Sequence, residues 1–283
     1  MRSEHSMAKK LSVSNIAWKR EDADDALAIL KKFGIGYVEV APTLFFDDVP
    51  HVSDERVRAL RDEYLNKGFR FAAMQSLLYG APEYSIFDDE KKRQYLFEYV
   101  AEVFRIARLL GIERAVFGSP KNRFMRDIDD PQNEQKAASF FKKLSDTAAE
   151  HTVTVCLEAN PPEYGCNFIT NTFEAIEWVK KIGHSNFKLN LDLNAILMNG
   201  SDIDEVMARA RGLVGHIHVS APHIGEIDDA SIGHAHIAGA IDRLGYDGFV
   251  SLEMRAGISN SDLETLEKNL RIFTKYYGSG RWL

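Results

Sequence analysis

From Leu11 onward the chain alternates between short apolar runs and longer amphipathic stretches. The runs LSVSNIAW (11–18), YVEVAP (37–42), FRFAAMQSLL (69–78) and ERAVFGSP (113–120) have the length and bulk of buried strands. So do TVTVCLE (152–158), FKLNLDLN (187–194), VGHIHVSAP (214–222) and YDGFVSLEMR (246–255). Between them, apolar residues return every three or four positions. Tyr95, Leu96, Tyr99, Val103, Ile106 and Leu110 predict a helix over roughly 88–110. Further helices are expected over 21–34, 53–68, 171–183, 202–212, 234–244 and 261–278. Ser53 and Asn171 read as N-caps, the latter with Glu174 three residues on, and Gly34 and Gly68 as stops. Asp130-Pro131 reads as an N-cap and first-turn proline for a helix running to Glu150.

Regular β/α alternation implies a parallel sheet, and eight units in one undivided chain imply a closed (β/α)8 TIM barrel of the α/β class. It forms a single domain over 11–283, preceded by a polar tail at 1–10 that opens MRSEHSM. A doubly wound open sheet would carry a glycine-rich phosphate loop after its first strand, and SNIAWKRED contains none.

Bulk composition narrows the function classes. With 45% hydrophobic and 27% charged residues the chain is an ordinary globular protein. A net charge of −7 argues against nucleic acid as a partner. No apolar run approaches the ~18 residues of a membrane span, so no membrane is expected. Two cysteines, Cys156 and Cys166, make no disulfide framework, and a reduced cytoplasmic setting is the default.

In such a barrel, chemistry belongs at the C-terminal ends of the strands. TVTVCLE ends in Glu158, just before the loop ANPPEYG, and three later strands end at Asp192, His218 and Glu253. A lone strand-end carboxylate is as readily a salt-bridge partner. These four are separated by 34, 26 and 35 residues, each about one β/α unit, so neighbouring staves bring them together. Three carboxylates and one imidazole make a mostly oxygen donor set, suited to Mn²⁺ first, with Mg²⁺, Co²⁺ or Zn²⁺ as further candidates. A divalent ion would also relieve the repulsion among the carboxylates. His216, two residues before His218, faces the same side and reads as an interior or supporting histidine.

The segments LEANPPEYG (157–165), LNLDLN (189–194), GHIHVSAP (215–222) and GYDGFVSLEM (245–254) resemble the sugar phosphate isomerase/epimerase family, with its xylose isomerase-like barrel. The resemblance extends over the whole barrel. In the ketose 3-epimerase branch the residues matching Glu158, Asp192, His218 and Glu253 bind the metal, and those matching Glu158 and Glu253 also act as the acid/base pair. The resemblance therefore implies proton transfer beside a carbonyl through a metal-stabilised enediolate, on a small sugar or polyol substrate, in a chain that can form homo-oligomers. Epimerisation, aldose–ketose isomerisation and inosose-type dehydration differ only in where the proton or hydroxyl goes. A non-catalytic metal-binding barrel is the reading from another class. Abasic-site endonuclease activity is disfavoured, because the ends of strands two to four carry Glu39, Gln75 and Ser119 rather than histidines.

Two positions depart from the branch: Ala195 stands where it often has a histidine, and PHIGEID lacks its loop arginine. Candidate substrate contacts are Trp18, Glu39 and Gln75 at the ends of the first three strands, with Asn160, Arg255 and His216. Lys121, Arg123 and Arg126 read first as a solvated loop, with a hold on a phosphate or carboxylate of the substrate as the alternative, and Asn160 and Tyr164 also as residues that shape the loop after Glu158.

Overall fold

The computed structural model describes residues 10–230 and 232–278. The strands are β1 Lys10–Ser14, β2 Tyr37–Val40, β3 Arg70–Met74 and β4 Arg114–Phe117, then β5 Thr154–Glu158, β6 Phe187–Asp192, β7 Val214–Val219 and β8 Phe249–Leu252. The helices are α1 Ala23–Lys32, α2 Asp54–Asn66, α3 Glu90–Leu110, α4 Asn133–Glu150 and α5 Thr172–Ile182. They continue with α6 Leu193–Met198, α7 Ile203–Ala210, α8 His234–Leu244 and α9 Asp262–Tyr277. Every strand pairs in parallel with its sequence neighbours, and β1 pairs with β8, so the sheet is the expected closed eight-stranded barrel. The expected tail lies outside the described residues except for Lys10, which opens β1.

The helices bury their apolar stripes against the outside of the sheet. On one side Phe141 of α4 meets Phe117 of β4, Phe140 of α4 and Trp178 of α5 edge to face and packs tilted on Phe187 of β6. The interior is more polar towards the C-terminal end: Asn190, Asp192, His216, His218 and Glu39 are all buried. Parallel register sets their levels. Glu158 lies beside Asn190, Asn190 beside His216, and Asp192 beside His218. Gly215 permits the close approach of β7. A Cβ there would meet Lys188 Cβ at 2.7 Å and Cys156 Sγ at 2.8 Å.

Several boundaries differ from expectation for local reasons. The first strand stops at Ser14, whose hydroxyl caps a 3-10 turn over Asn15–Ala17 and so carries Trp18 out of the strand. The helix expected from Asp130-Pro131 starts later, at Asn133, because Asp130 accepts from the Gln132 N–H and pairs with Lys136 in a turn of its own. The short α6 was not expected. Asp192 is both the last residue of β6 and the N-cap of this helix, so no loop separates them. Among the described residues no helix is long and apolar enough to cross a membrane.

Candidate active site

Each of the four strand-end residues arrives at the barrel mouth from its own stave. Glu158 closes β5, Asp192 closes β6, His218 lies one residue before the end of β7, and Glu253 follows β8. They converge. His218 Nδ1 lies 3.2 Å from Glu158 Oε1 and 3.4 Å from Glu253 Oε2. Asp192, His218 and Glu253 each offer a donor atom, all within 4.8 Å of one another.

Supporting residues fix these side chains. Asn190, two positions before Asp192, donates from Nδ2 to Glu158 Oε1 at 2.7 Å. Asn160 donates to the other oxygen, Oε2, at 3.0 Å. Asp192 accepts from the Asn194 N–H at 3.1 Å and the Ala195 N–H at 3.3 Å, as a helix cap does, and also from the Ser220 hydroxyl. Gly118, just past β4, leaves room for Glu158, since a Cβ there would fall on Oε2.

A second set lies beneath. Glu39 Oε1 is 3.0 Å from His218 Nε2 and 3.1 Å from His216 Nε2, and all three residues have no exposed surface. His216 is near Glu39 but off the line of a hydrogen bond. This lower set also has donor atoms close enough to surround a cation. Electrostatics separates the two sets. Burial disfavours the charge on Glu39, but His218 and His216 outweigh it and hold the carboxyl well below its ordinary range. The lower carboxylate is therefore already compensated. Above, burial together with the charges of Glu158 and Glu253 pushes the Asp192 carboxyl up to about 7. Burial raises Glu253 as well. Glu158 goes the other way: against burial, His218, Asn160 and Arg123 pull it down. His218 is pushed well above its usual value, because Glu39 and Glu253 outweigh its desolvation. The upper set thus holds more carboxyl groups than one imidazolium compensates, and Asp192 is driven towards its protonated form. Three carboxylates and a nitrogen with that imbalance fit a divalent cation. Glu39 holds Nε2, which leaves Nδ1 to face the cluster, the arrangement found for metal-ligating histidines.

The cleft above this set has a volume of about 300 Å³ and is lined by Gln75, Ser119, Glu158, Asn160, Tyr164 and Asp192, among others. Gln75 and Asn160 thus stand where a substrate contact was expected. The other expected contacts do not. Glu39 and His216 are sealed beneath His218, Trp18 packs in the hydrophobic core, and Arg255 is exposed and outside the residues lining the cleft. Two of these have a local cause: the turn after Ser14 withdraws Trp18, and the pull of two imidazoles keeps Glu39 below. Sequence reasoning missed Asn190 and Ser220, although Asn190 lies two residues before Asp192 and Ser220 two after His218. It also placed Arg123 in a solvated loop, whereas Arg123 is fully buried. Tyr164 ties the loops together, accepting from Asn194 Nδ2 and from the His223 N–H, both at 2.9 Å. A larger cavity, about 530 Å³, lies at the opposite end among Lys10, Arg70, Arg114 and Phe249, away from the carboxylates.

Comparison with known proteins follows this geometry. Residues 27–276 match the family model described as xylose isomerase-like TIM barrel. Over 158 residues the chain is 24% identical to L-ribulose 3-epimerase of Mesorhizobium japonicum, covering 55% of this chain and 52% of that protein. Over 158 residues it is 25% identical to 2-oxo-tetronate isomerase of Haemophilus influenzae, covering 52% of this chain and 60% of that one. The chain thus spans little more than half the length of the curated relatives it matches. Among solved structures, D-psicose 3-epimerase with D-tagatose from Clostridium cellulolyticum H10 superposes with a TM-score of 0.80 at 16% identity, over 95% of this chain and 100% of that one. At that identity the likeness is one of fold.

Proposed function

The chain belongs to the xylose isomerase-like TIM barrel family, and from that premise we propose that it is a divalent-metal-dependent sugar epimerase or isomerase. The observation that carries the proposal is the approach of Glu158 and Glu253 to His218 Nδ1, with Asp192 close beside His218 and Glu253 and raised by the neighbouring carboxylates. In this reading Glu158, Asp192, His218 and Glu253 hold the ion, Mn²⁺ by preference for so oxygen-rich a set. The ion supplies Lewis-acid polarisation of a carbonyl and its neighbouring hydroxyl.

The chain's own groups do the rest. Glu158 and Glu253 reach the cleft from β5 and from the end of β8. One carboxylate takes the proton from the carbon beside the carbonyl, and the other returns one. Return to the opposite face of the same carbon is epimerisation, and return to the neighbouring carbon is isomerisation. Loss of a β-hydroxyl would instead make the protein a dehydratase. The named activities of the relatives, on L-ribulose and 2-oxo-tetronate, support the first two outcomes and a small sugar or sugar-acid substrate. In this reading Gln75, Asn160 and Tyr164, which line the cleft, meet its hydroxyls. Abasic-site cleavage has little support, since Glu39, at the end of β2, is already engaged by two imidazoles.

The test is deuterium incorporation. Protein loaded with Mn²⁺ is incubated in D2O with L-ribulose, D-psicose or 2-oxo-tetronate, and exchange at the carbon beside the carbonyl is followed by NMR. Exchange with at least one of them is expected, together with its loss by roughly 100-fold or more in Glu253→Gln. Metal-loaded protein that exchanges none of the panel would contradict the proposal.

A further inference from the structure

Arg123 ends a 3-10 turn, Pro120–Arg123, in the loop after β4, and no part of it is exposed. Its Nη2 donates to Asn160 Oδ1 at 2.8 Å, while Nε and Nη1 have no hydrogen-bond partner. Glu158 and Glu174 act on it through their fields, and burial pulls its pKa down. A guanidinium stripped of water and held by a single hydrogen bond is an expensive way to fill a loop. What it does to its one partner gives it a role.

Arginine has donors and no acceptor, so it can bind Asn160 only through Oδ1. That fixes the orientation of the amide and aims Nδ2 at Glu158, where it donates to Oε2 at 3.0 Å. The opposite oxygen of Glu158 accepts from Asn190 Nδ2 at 2.7 Å. The carboxylate is thereby held at both oxygens, in the orientation that turns Oε1 towards His218 Nδ1 at 3.2 Å. Without Arg123 the amide keeps only its Nδ2 bonds, to Glu158 and to the Ala159 carbonyl, and its Oδ1 is left buried without a donor, so its hold on Glu158 loosens. We propose that Arg123 is a positioning residue for Glu158, acting through the amide of Asn160. The proposal rests on the reading of Glu158 as a metal ligand and proton-transfer group. It does not place Arg123 in contact with substrate.

The experiment uses the full chain and two joints of the relay, Arg123→Met and Asn160→Ala, with Arg123→Lys as the conservative variant. Metal-free crystal structures come first. In both truncating variants Glu158 is expected to leave its place by more than about 0.5 Å, the tolerance of a working site. Mn²⁺ titration followed by electron paramagnetic resonance comes second. Each truncation is expected to weaken binding by at least about tenfold, as removal of supporting hydrogen bonds does elsewhere. The double variant Arg123→Met/Asn160→Ala is expected to bind no more weakly than the weaker single variant, because both break one chain of contacts. Arg123→Lys, which keeps a donor for Oδ1, is expected to recover part of the loss. Glu158 unmoved in the truncating variants, or effects on Mn²⁺ affinity that multiply in the double variant, would overturn the proposal. If Arg123→Met does not fold, Arg123→Gln takes its place with the same expected outcomes, since an amide accepts as well as donates and no longer dictates how Asn160 is turned. Wild-type protein that binds no Mn²⁺ would instead sink the metal reading, and the metal-free crystals would still decide on Arg123.

Discussion

One oxygen of Glu39 serves two imidazoles, and the consequence falls on His218. With Nε2 held from below, Nδ1 is the nitrogen left for the carboxylates above. Glu39→Gln removes the charge that does this holding. Mn²⁺ affinity is expected to fall by about 10–100-fold in that variant, measured by titration. An unchanged affinity would mean that the packing alone orients the ring. Asp192 gives a second prediction at this scale. Its carboxyl is raised from 3.8 to about 7, so the folded metal-free protein prefers it protonated. That preference stabilises the fold at low pH and is lost as pH rises through about 7. His218 has the same sign: its raised pKa contributes stability below its ordinary value that disappears as pH climbs through the raised one. The melting temperature of metal-free protein should therefore fall as pH rises, through Asp192 from about pH 4 to about 7 and through His218 above its ordinary value. Asp192→Asn should raise it at pH 8 by on the order of 2 kcal/mol, roughly 4–8 °C. Metal binding, which needs both groups deprotonated, should strengthen over the same range.

At the scale of single elements, the end of β4 shapes the site without supplying a donor to it. Gly118 admits the Glu158 carboxylate because it has no Cβ. Gly118→Ala is expected to lower the deuterium-exchange rate by roughly 100-fold, the usual result of a shift near 1 Å, while melting within a few degrees of wild type. A variant that exchanges normally would show that the carboxylate has room to spare. Strands and helices were legible in the sequence because each carries its own period. Asp192, His218 and Glu253 stood out as polar residues ending apolar runs, and Asn190 could have been found by stepping back two residues from Asp192. Other features had no such signal. Trp18 looked like a strand end, because nothing in its run announces that Ser14 will cap a turn. Arg123 looked solvated, since a loop has no periodicity to mark which of its residues turns inward. Glu39 looked like a substrate contact because its depth depends on strand register between β1, β2 and β7, which one sequence does not display.

For the molecule as a whole, closure of the sheet does what no local motif does. It brings Glu158, Asp192, His218 and Glu253 from β5, β6, β7 and the end of β8 to one mouth, where the last three offer donor atoms within 4.8 Å of one another and Glu158 lies 3.2 Å from His218 Nδ1. An ion there would tie those staves together across about a hundred residues of chain. Binding to the folded state alone adds stability in proportion to the logarithm of ligand excess. At one hundred times the dissociation constant the gain is about 2.7 kcal/mol, or roughly 5–10 °C in melting temperature. Calorimetry with and without Mn²⁺ would read it, and Asp192→Asn should lose most of the shift. The departures at Ala195 and in the loop after β7 leave the four strand-end residues unchanged, and Ile224 of that loop lines the cleft. Substrate choice is therefore expected to differ from that of the named relatives sooner than the requirement for metal. The most direct test of the shared-ion arrangement is a Mn²⁺ titration of the metal-free chain by electron paramagnetic resonance, repeated with Glu158→Gln, Asp192→Asn, His218→Asn and Glu253→Gln. The account predicts saturable binding of a single ion per chain, weakened in every one of the four. Absence of saturable binding, or affinity unchanged in those variants, would contradict it.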